Sequence, residues 1–349
     1  MNHRIGVVGA GTIAKNRHIP AYLRHDSVEL CGVYDRNPDA ISTVRAEFGV
    51  ETFDDFDSLC EVVDTVVLCT PPWAHHEPAI EAFEHGCHVF TEKPMAMSTD
   101  EADEMIAAAE DHDRQLAVVH NNLWKRAVKT AGEKIDSGNL GTVRRTYAIQ
   151  LREMDDWDRH SPEWFDRLPG GLFWDEAPHM MYLTRRFLGE ADVETANVDV
   201  GDSTKQTETA LRARFSGESG GNGSLTMIFD APVTEWWFVV LCSRGLVAVD
   251  IFRNSVAVLG KEDDHSALEV LTSFLSFTTQ AATDIVRTGV EYLWDNKRHD
   301  YAIPDAGFSE QVTETITAFE NGRDPPVSGE DGRETVAMME EIASHASLD

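Results

Sequence analysis

The chain has 349 residues, 42% of them hydrophobic, which is apolar material for two cores rather than one. Its charge is lopsided: 61 acidic residues against 30 basic ones give a net charge of −31, and Lys supplies only 8 of those bases. Such a surface repels nucleic acid and anionic membranes, which excludes both as partners, and its dispersal along the chain suits a protein kept hydrated in a salt-rich cytoplasm.

The pattern begins with a strand over Ile5–Val8 and continues with strands over Val28–Tyr34, Thr65–Cys69, His88–Phe90 and Leu116–Val119. Helical periodicity fills the gaps at Ile13–Leu23, Pro38–Phe48, His76–His85 and Asp100–Asp111, the last opened by a capping box of Ser98 with Glu101. Continuous apolar strands alternating with helices predict a doubly wound parallel sheet covered on both faces, a Rossmann-type domain over residues 1–121.

After residue 121 the period changes. A helix over Ala127–Asp136 leads into period-two segments at Val143–Leu151, Thr207–Phe215, Ser224–Asp230, Glu235–Ser243, Leu246–Ile251 and Ser255–Leu259. These predict a second α/β domain over residues 122–349 with an open, mainly antiparallel sheet. Ala267–Trp294 reads as one or two amphipathic helices suited to core packing or a subunit interface. Val312–Phe319 and Glu334–Ser344 give two final helices, the last expected to pack back on the first domain. The five cysteines show no metal-ligand spacing and read as reduced thiols of a reducing compartment. The strand that begins within four residues of Met1 leaves no signal peptide, and no run of 18 apolar residues exists to span a membrane. These features predict a cytoplasmic protein. Asp155–His160 is acidic enough to suggest a metal cluster but reads as a solvated loop, and no metal is expected.

Gly9-Ala10-Gly11-Thr12-Ile13-Ala14 follows the first strand and opens a helix. Gly9 permits the tight turn, Gly11 lets backbone N–H groups approach a pyrophosphate, and Thr12 and Ile13 begin the helix whose N-terminus favours that anion. Asp35 ends the second strand about 20 residues on, as the dinucleotide motif requires. A carboxylate there accepts hydrogen bonds from the adenosine ribose and repels a 2′-phosphate. That favours NAD, while Arg36 beside it leaves NADP open.

These residues, together with Thr70-Pro71-Pro72 and His75, Gly86-Cys87-His88-Val89 and Glu92-Lys93-Pro94, resemble the Gfo/Idh/MocA oxidoreductases. The resemblance continues through Ile135–Gly141, Gly170–His179 and Pro325–Gly332, nearly the whole chain. It implies a Rossmann domain, a second domain whose open sheet is often an oligomer interface, and hydride transfer between NAD(P) and a hydroxyl carbon of a sugar, polyol or sugar derivative. It places Thr70, Pro71, His75, Glu92 and Lys93 at the cofactor, and Lys93, Asp175 and His179 in catalysis. A homodimer or homotetramer is expected.

Physically, His179 titrates near neutrality and suits a base, Lys93 stabilises alkoxide charge, and Asp175 orients the base or holds a hydroxyl. Without the resemblance, Asp175 would read as a helix N-cap and His179 as packing. Three features depart from the family: Ala177 replaces a usual Gly, Tyr182 replaces an Asp, and Asn122-Leu123-Trp124-Lys125-Arg126 stands where relatives tend to have an Arg-aromatic pair. Trp124, Lys125 and Tyr182 are therefore candidate substrate contacts, with Trp124 stacking on a sugar face. Two other readings stay open here: glycoside cleavage through transient oxidation, and a non-catalytic NAD or sugar sensor.

Overall fold

The computed structural model describes residues 2–153, 167–200, 208–260, scattered positions between 278 and 290, and 307–348. The chain divides into two compact units, one of residues 1–121 and 295–337, the other of residues 122–294 and 338–349.

The first unit opens with β1 (His3–Val8), turns through a π-type helical turn (Ala14–His18) into α1 (Ile19–Arg24), and returns as β2 (Val28–Tyr34). Then come α2 (Pro38–Phe48), α3 (Phe56–Cys60), β3 (Thr65–Leu68), α4 (His76–Glu84), β4 (His88–Thr91), α5 (Thr99–Asp111) and β5 (Leu116–Val118). The strands pair in the order β2-β1-β3-β4-β5, all parallel. β3 and β5 are buried throughout, as strands covered on both faces must be. Ser98 caps α5 by accepting the Glu101 N–H, while Glu101 reaches back to the Met97 N–H.

The second unit contains α6 (Arg126–Asp136), β6 (Val143–Leu151), α7 (Leu172–Leu188), β7 (Ala191–Val200), β8 (Glu208–Gly217), β9 (Asn222–Ile228), β10 (Glu235–Cys242), β11 (Gly245–Asp250) and β12 (Ser255–Gly260). These strands form one sheet in the order β12-β11-β10-β6-β9-β8-β7, antiparallel except for β6 with β9. Alternation decides its faces. Leu211, Ala213 and Phe215 are buried while Arg212 and Arg214 are exposed, and Phe238 packs on Phe187 of α7 with ring centroids 5.3 Å apart. The opposite face is apolar but only half-buried along Trp237, Val239 and Leu241 of β10, with Tyr147 and Ile149 of β6 beside them.

After residue 295 the chain adds α8 (Phe308–Glu320) to the first unit, and α9 (Gly329–Ala346) begins in that unit and ends in the second. Phe308, Val312, Ile316 and Phe319 form one helical stripe in the core of Ile5, Val7, Val67 and Phe90. Each such side chain taken from water contributes roughly 1.5–3 kcal/mol. No described helix is long and apolar enough to cross a membrane. The expected helices over 267–294 lie largely outside the described residues, and Asp155–His160 wholly so.

Half-buried His88, beside this core, contributes to the pH dependence of stability. His88 Nδ1 accepts the Gln115 N–H at 3.1 Å, and its ring stacks on Phe319 at 4.7 Å. Burial first, then the charges of Arg114 and His3, push its pKa down to about 4. The unfolded chain binds this proton from about pH 6.5 downward, so the group's contribution is intact above that value and is lost as pH falls towards 4. Urea unfolding at about pH 7 and pH 4.5 should show this loss, and His88→Gln should make the pH dependence shallower; an unchanged dependence would contradict it.

Candidate active site

Parallel strands deliver their C-terminal ends to one edge, and the order β2-β1-β3 makes that edge a switch point, where the chain leaves β1 towards opposite sides. Gly9 sits at this switch with φ +98°, and a Cβ there would lie 2.8 Å from the Cys69 carbonyl. Only glycine meets both demands. Gly11 is exposed, and a Cβ on it would meet nothing within 4 Å, so backbone faces open space as a phosphate cradle needs. The first helical bond runs from the Lys15 N–H to the Gly11 C=O, so the N–H groups just ahead have no intrahelical acceptor.

Asp35 stands at the end of β2 with both carboxylate oxygens engaged by backbone: Oδ2 accepts the Ala10 N–H and Oδ1 the Asn37 N–H, each at 2.7 Å. The same carboxylate thus ties the glycine turn to the strand and keeps lone pairs for ribose hydroxyls. Arg36 beside it is exposed. After β3, the Thr70 hydroxyl donates to the Ala74 C=O at 2.9 Å. His75, expected at the cofactor, is fully buried instead, its ring nitrogens 2.8 Å from the Thr70 C=O and 3.1 Å from the Pro94 C=O. Burial pushes its pKa down. It braces two turns rather than presenting a ring to a ligand.

After β4, Glu92 is buried and Lys93 half-buried, followed by a cis peptide to Pro94. Glu92 also differs from expectation: it receives His18 Nε2 at 2.8 Å and the Lys93 N–H at 3.1 Å, and supports the turn from beneath. Burial alone would raise its pKa; the His18 hydrogen bond and the charges of His18, Lys93 and Arg17 outweigh it and hold the carboxyl at about 2.

In the second unit, α7 carries another group. Gly171 precedes this helix and Asp175 lies within its first turn, so Asp175 is not the N-cap. Asp175 and His179, one turn apart on one face, are half-buried among buried neighbours. His179 Nδ1 is 2.8 Å from the Tyr182 hydroxyl, which also accepts the Asn122 N–H at 3.3 Å. Tyr182 is buried, so the residue that replaces the family's Asp holds the histidine ring. Trp236 crosses that ring edge-on at 5.4 Å, and Lys125 Nζ lies 5.8 Å from the Trp236 ring while donating to the Ile251 C=O at 2.6 Å. Trp124, expected to stack on a sugar, is 7% exposed; the aromatic face beside His179 belongs to Trp236. Glu176, next to Asp175, is held by Gln150 at 2.7 Å and Arg152 at 2.8 Å.

Residues 3–120 match the model of an oxidoreductase family with an NAD-binding Rossmann fold, and residues 128–248 match the Gfo/Idh/MocA C-terminal domain. The chain belongs to the Gfo/Idh/MocA oxidoreductase family. It is 30% identical over 228 residues to 1-carboxy-3-chloro-3,4-dihydroxycyclohexa-1,5-diene dehydrogenase of Comamonas testosteroni, a match covering 64% of this chain and 57% of that protein. To myo-inositol 2-dehydrogenase of Thermotoga maritima it is 25% identical over 361 residues, with 99% and 96% covered. It spans little more than half of the first relative's length and nearly all of the second's. A solved structure, the WlbA dehydrogenase from Bordetella pertussis in complex with NADH and UDP-GlcNAcA, shares the fold with a TM-score of 0.81 at 22% identity, covering 99% of this chain and 96% of that one. As a Gfo/Idh/MocA member the chain carries the NAD-binding Rossmann domain of an oxidoreductase family.

Three participants escaped the sequence reading. Trp236 stands in a strand pattern and carried no motif, the Asn122 N–H leaves no mark in sequence, and His18 looked like an ordinary residue of the first helix. Gly9 gives the most direct test of the cofactor turn. Gly9→Ala should weaken NADH binding by about tenfold or more, read by fluorescence titration with circular dichroism to confirm folding. Unchanged affinity would separate the turn from the cofactor.

Proposed function

We propose that this protein is an NAD-dependent dehydrogenase that oxidises a secondary hydroxyl of a sugar, polyol or sugar derivative, with Lys93, Asp175 and His179 as its catalytic groups. The observation that carries the reading is the pairing of a dinucleotide turn with a lysine turn on one edge of the same parallel sheet. The relatives support the substrate class, since two that cover most of both chains are inositol dehydrogenases.

A bound nicotinamide would supply the hydride acceptor. His179 receives the hydroxyl proton, and its Nδ1 lies 2.8 Å from the Tyr182 hydroxyl, which orients the ring. The Lys93 ammonium stabilises the negative charge that grows on the oxygen as the C–H bond breaks. Asp175, one turn from His179, accepts a hydrogen bond from a neighbouring hydroxyl and so fixes which carbon reacts. Trp236 and Lys125 lie close enough to His179 to contact the substrate's far side. The Asp35 carboxylate favours NAD over NADP by repelling a 2′-phosphate.

The apolar stripe of half-buried Trp237, Val239, Leu241 and Ile149 with exposed Tyr147 supports assembly through the open sheet face as a dimer or tetramer. The dispersed acidic charge supports a cytoplasm rich in salt, where screening relieves self-repulsion. Net NADH formation separates this reading from glycoside cleavage by transient oxidation, in which none accumulates.

Lys93→Met should lower kcat on the order of 10²–10⁴-fold across a polyol and sugar panel while leaving the NADH dissociation constant within about twofold. Tyr182→Phe should lower kcat about tenfold, again without weakening NADH. Wild-type turnover in the Lys93 variant would overturn the assignment.

A further inference from the structure

The helix after the glycine turn is not regular. Over Ala14–His18 it widens to π-type geometry, closed by the Ile19 N–H bonding to the Ala14 C=O, five residues back. The turn ends on His18, which is fully buried. Its Nδ1 is 2.9 Å from the Tyr22 hydroxyl and its Nε2 is 2.8 Å from Glu92 Oε1. Phe308 closes the remaining side, its ring edge-on at 4.8 Å. A carboxylate only accepts, so Nε2 carries hydrogen and donates to Glu92.

Glu92 continues the chain of contacts. Its Oε2 accepts the N–H of Lys93, and its own N–H is bound to the Leu68 C=O at the end of β3. Two polar side chains have thus been taken from water where an apolar pair would pack more cheaply. They lie between the helix that begins at the phosphate cradle and the turn that holds the lysine.

We propose that His18 and Glu92 are a positioning pair that couples the dinucleotide-binding helix to Lys93, so that the seating of the cofactor and the placement of the lysine depend on one another. Neither side chain meets the reactants; each acts through the backbone it holds. Removing one leaves the other buried without its partner, and the freed group shifts the helix or the lysine turn to find another. The kinetic part rests on the dehydrogenase reading above, whereas the cofactor-binding part does not.

Glu92→Gln, His18→Gln and the double variant decide the matter, read by NADH fluorescence titration, by kcat and KM on whichever polyol or sugar of the panel the wild type turns over, and by thermal melts. Each single change should weaken NADH about tenfold, and the double should be no worse than either single, because both remove one interaction. The kcat should fall about 10- to 10²-fold while the substrate KM stays within about twofold. A pair with a merely structural role would lower the melting temperature and leave NADH affinity and kcat intact, which would overturn the proposal. Should the Gln variants fail to fold, Tyr22→Phe carries the test: a roughly threefold or greater loss of NADH affinity is expected, and an unchanged affinity overturns it. If the wild type turns over nothing in the panel, the dehydrogenase reading falls and the NADH titrations still decide the pairing.

Discussion

Everything at the cofactor edge follows from how closely β1 and β3 pair. Their parallel register brings the end of β1 against the backbone of Cys69, leaving no room for a Cβ at Gly9 and forcing a left-handed backbone there. That turn aims the following N–H groups outward and starts the helix. The same parallel pairing carries β4 beside β3, so the Glu92–Lys93 turn emerges at the same edge as the glycine turn. A fold that met the hydrogen-bonding demands of five parallel strands has thereby gathered the glycine turn, the Asp35 carboxylate and a lysine on one edge without any of them being near the others in sequence.

Charge at this edge is arranged in depth. Asp35 is placed by two backbone N–H groups and keeps acceptor capacity outward. Glu92 is buried and stays ionised because donors and positive charges surround it. In the second unit the partner is a hydroxyl, since that of Tyr182 lies 2.8 Å from His179 Nδ1.

Much of this was legible in the sequence because the signals were local. Val28–Tyr34 and Pro38–Phe48 matched their elements end to end, since uninterrupted apolar runs and a Pro after Asn37 leave little choice. Strand β7 was missed: an extra residue between Val193 and Thr195 breaks the two-residue period that reveals a half-buried strand. α3 is five residues long, too short for a helical period to show. Gly9, Gly11 and Asp35 stand at the strand ends where the motif spacing put them. The roles of His75 and Glu92 were not legible, because burial of a polar side chain depends on partners 5 to 74 residues away. The residues that belong to the first unit after position 295 carry no local mark of that membership.

The central claim is that a carbinol hydride passes directly to the nicotinamide. Polyols and sugars deuterated at the carbinol carbon, incubated with NAD in high salt, test it most directly. The account predicts deuterium at C4 of the NADH formed, on one face of the ring. Deuterium released to water, or retained in product with no NADH formed, would contradict it.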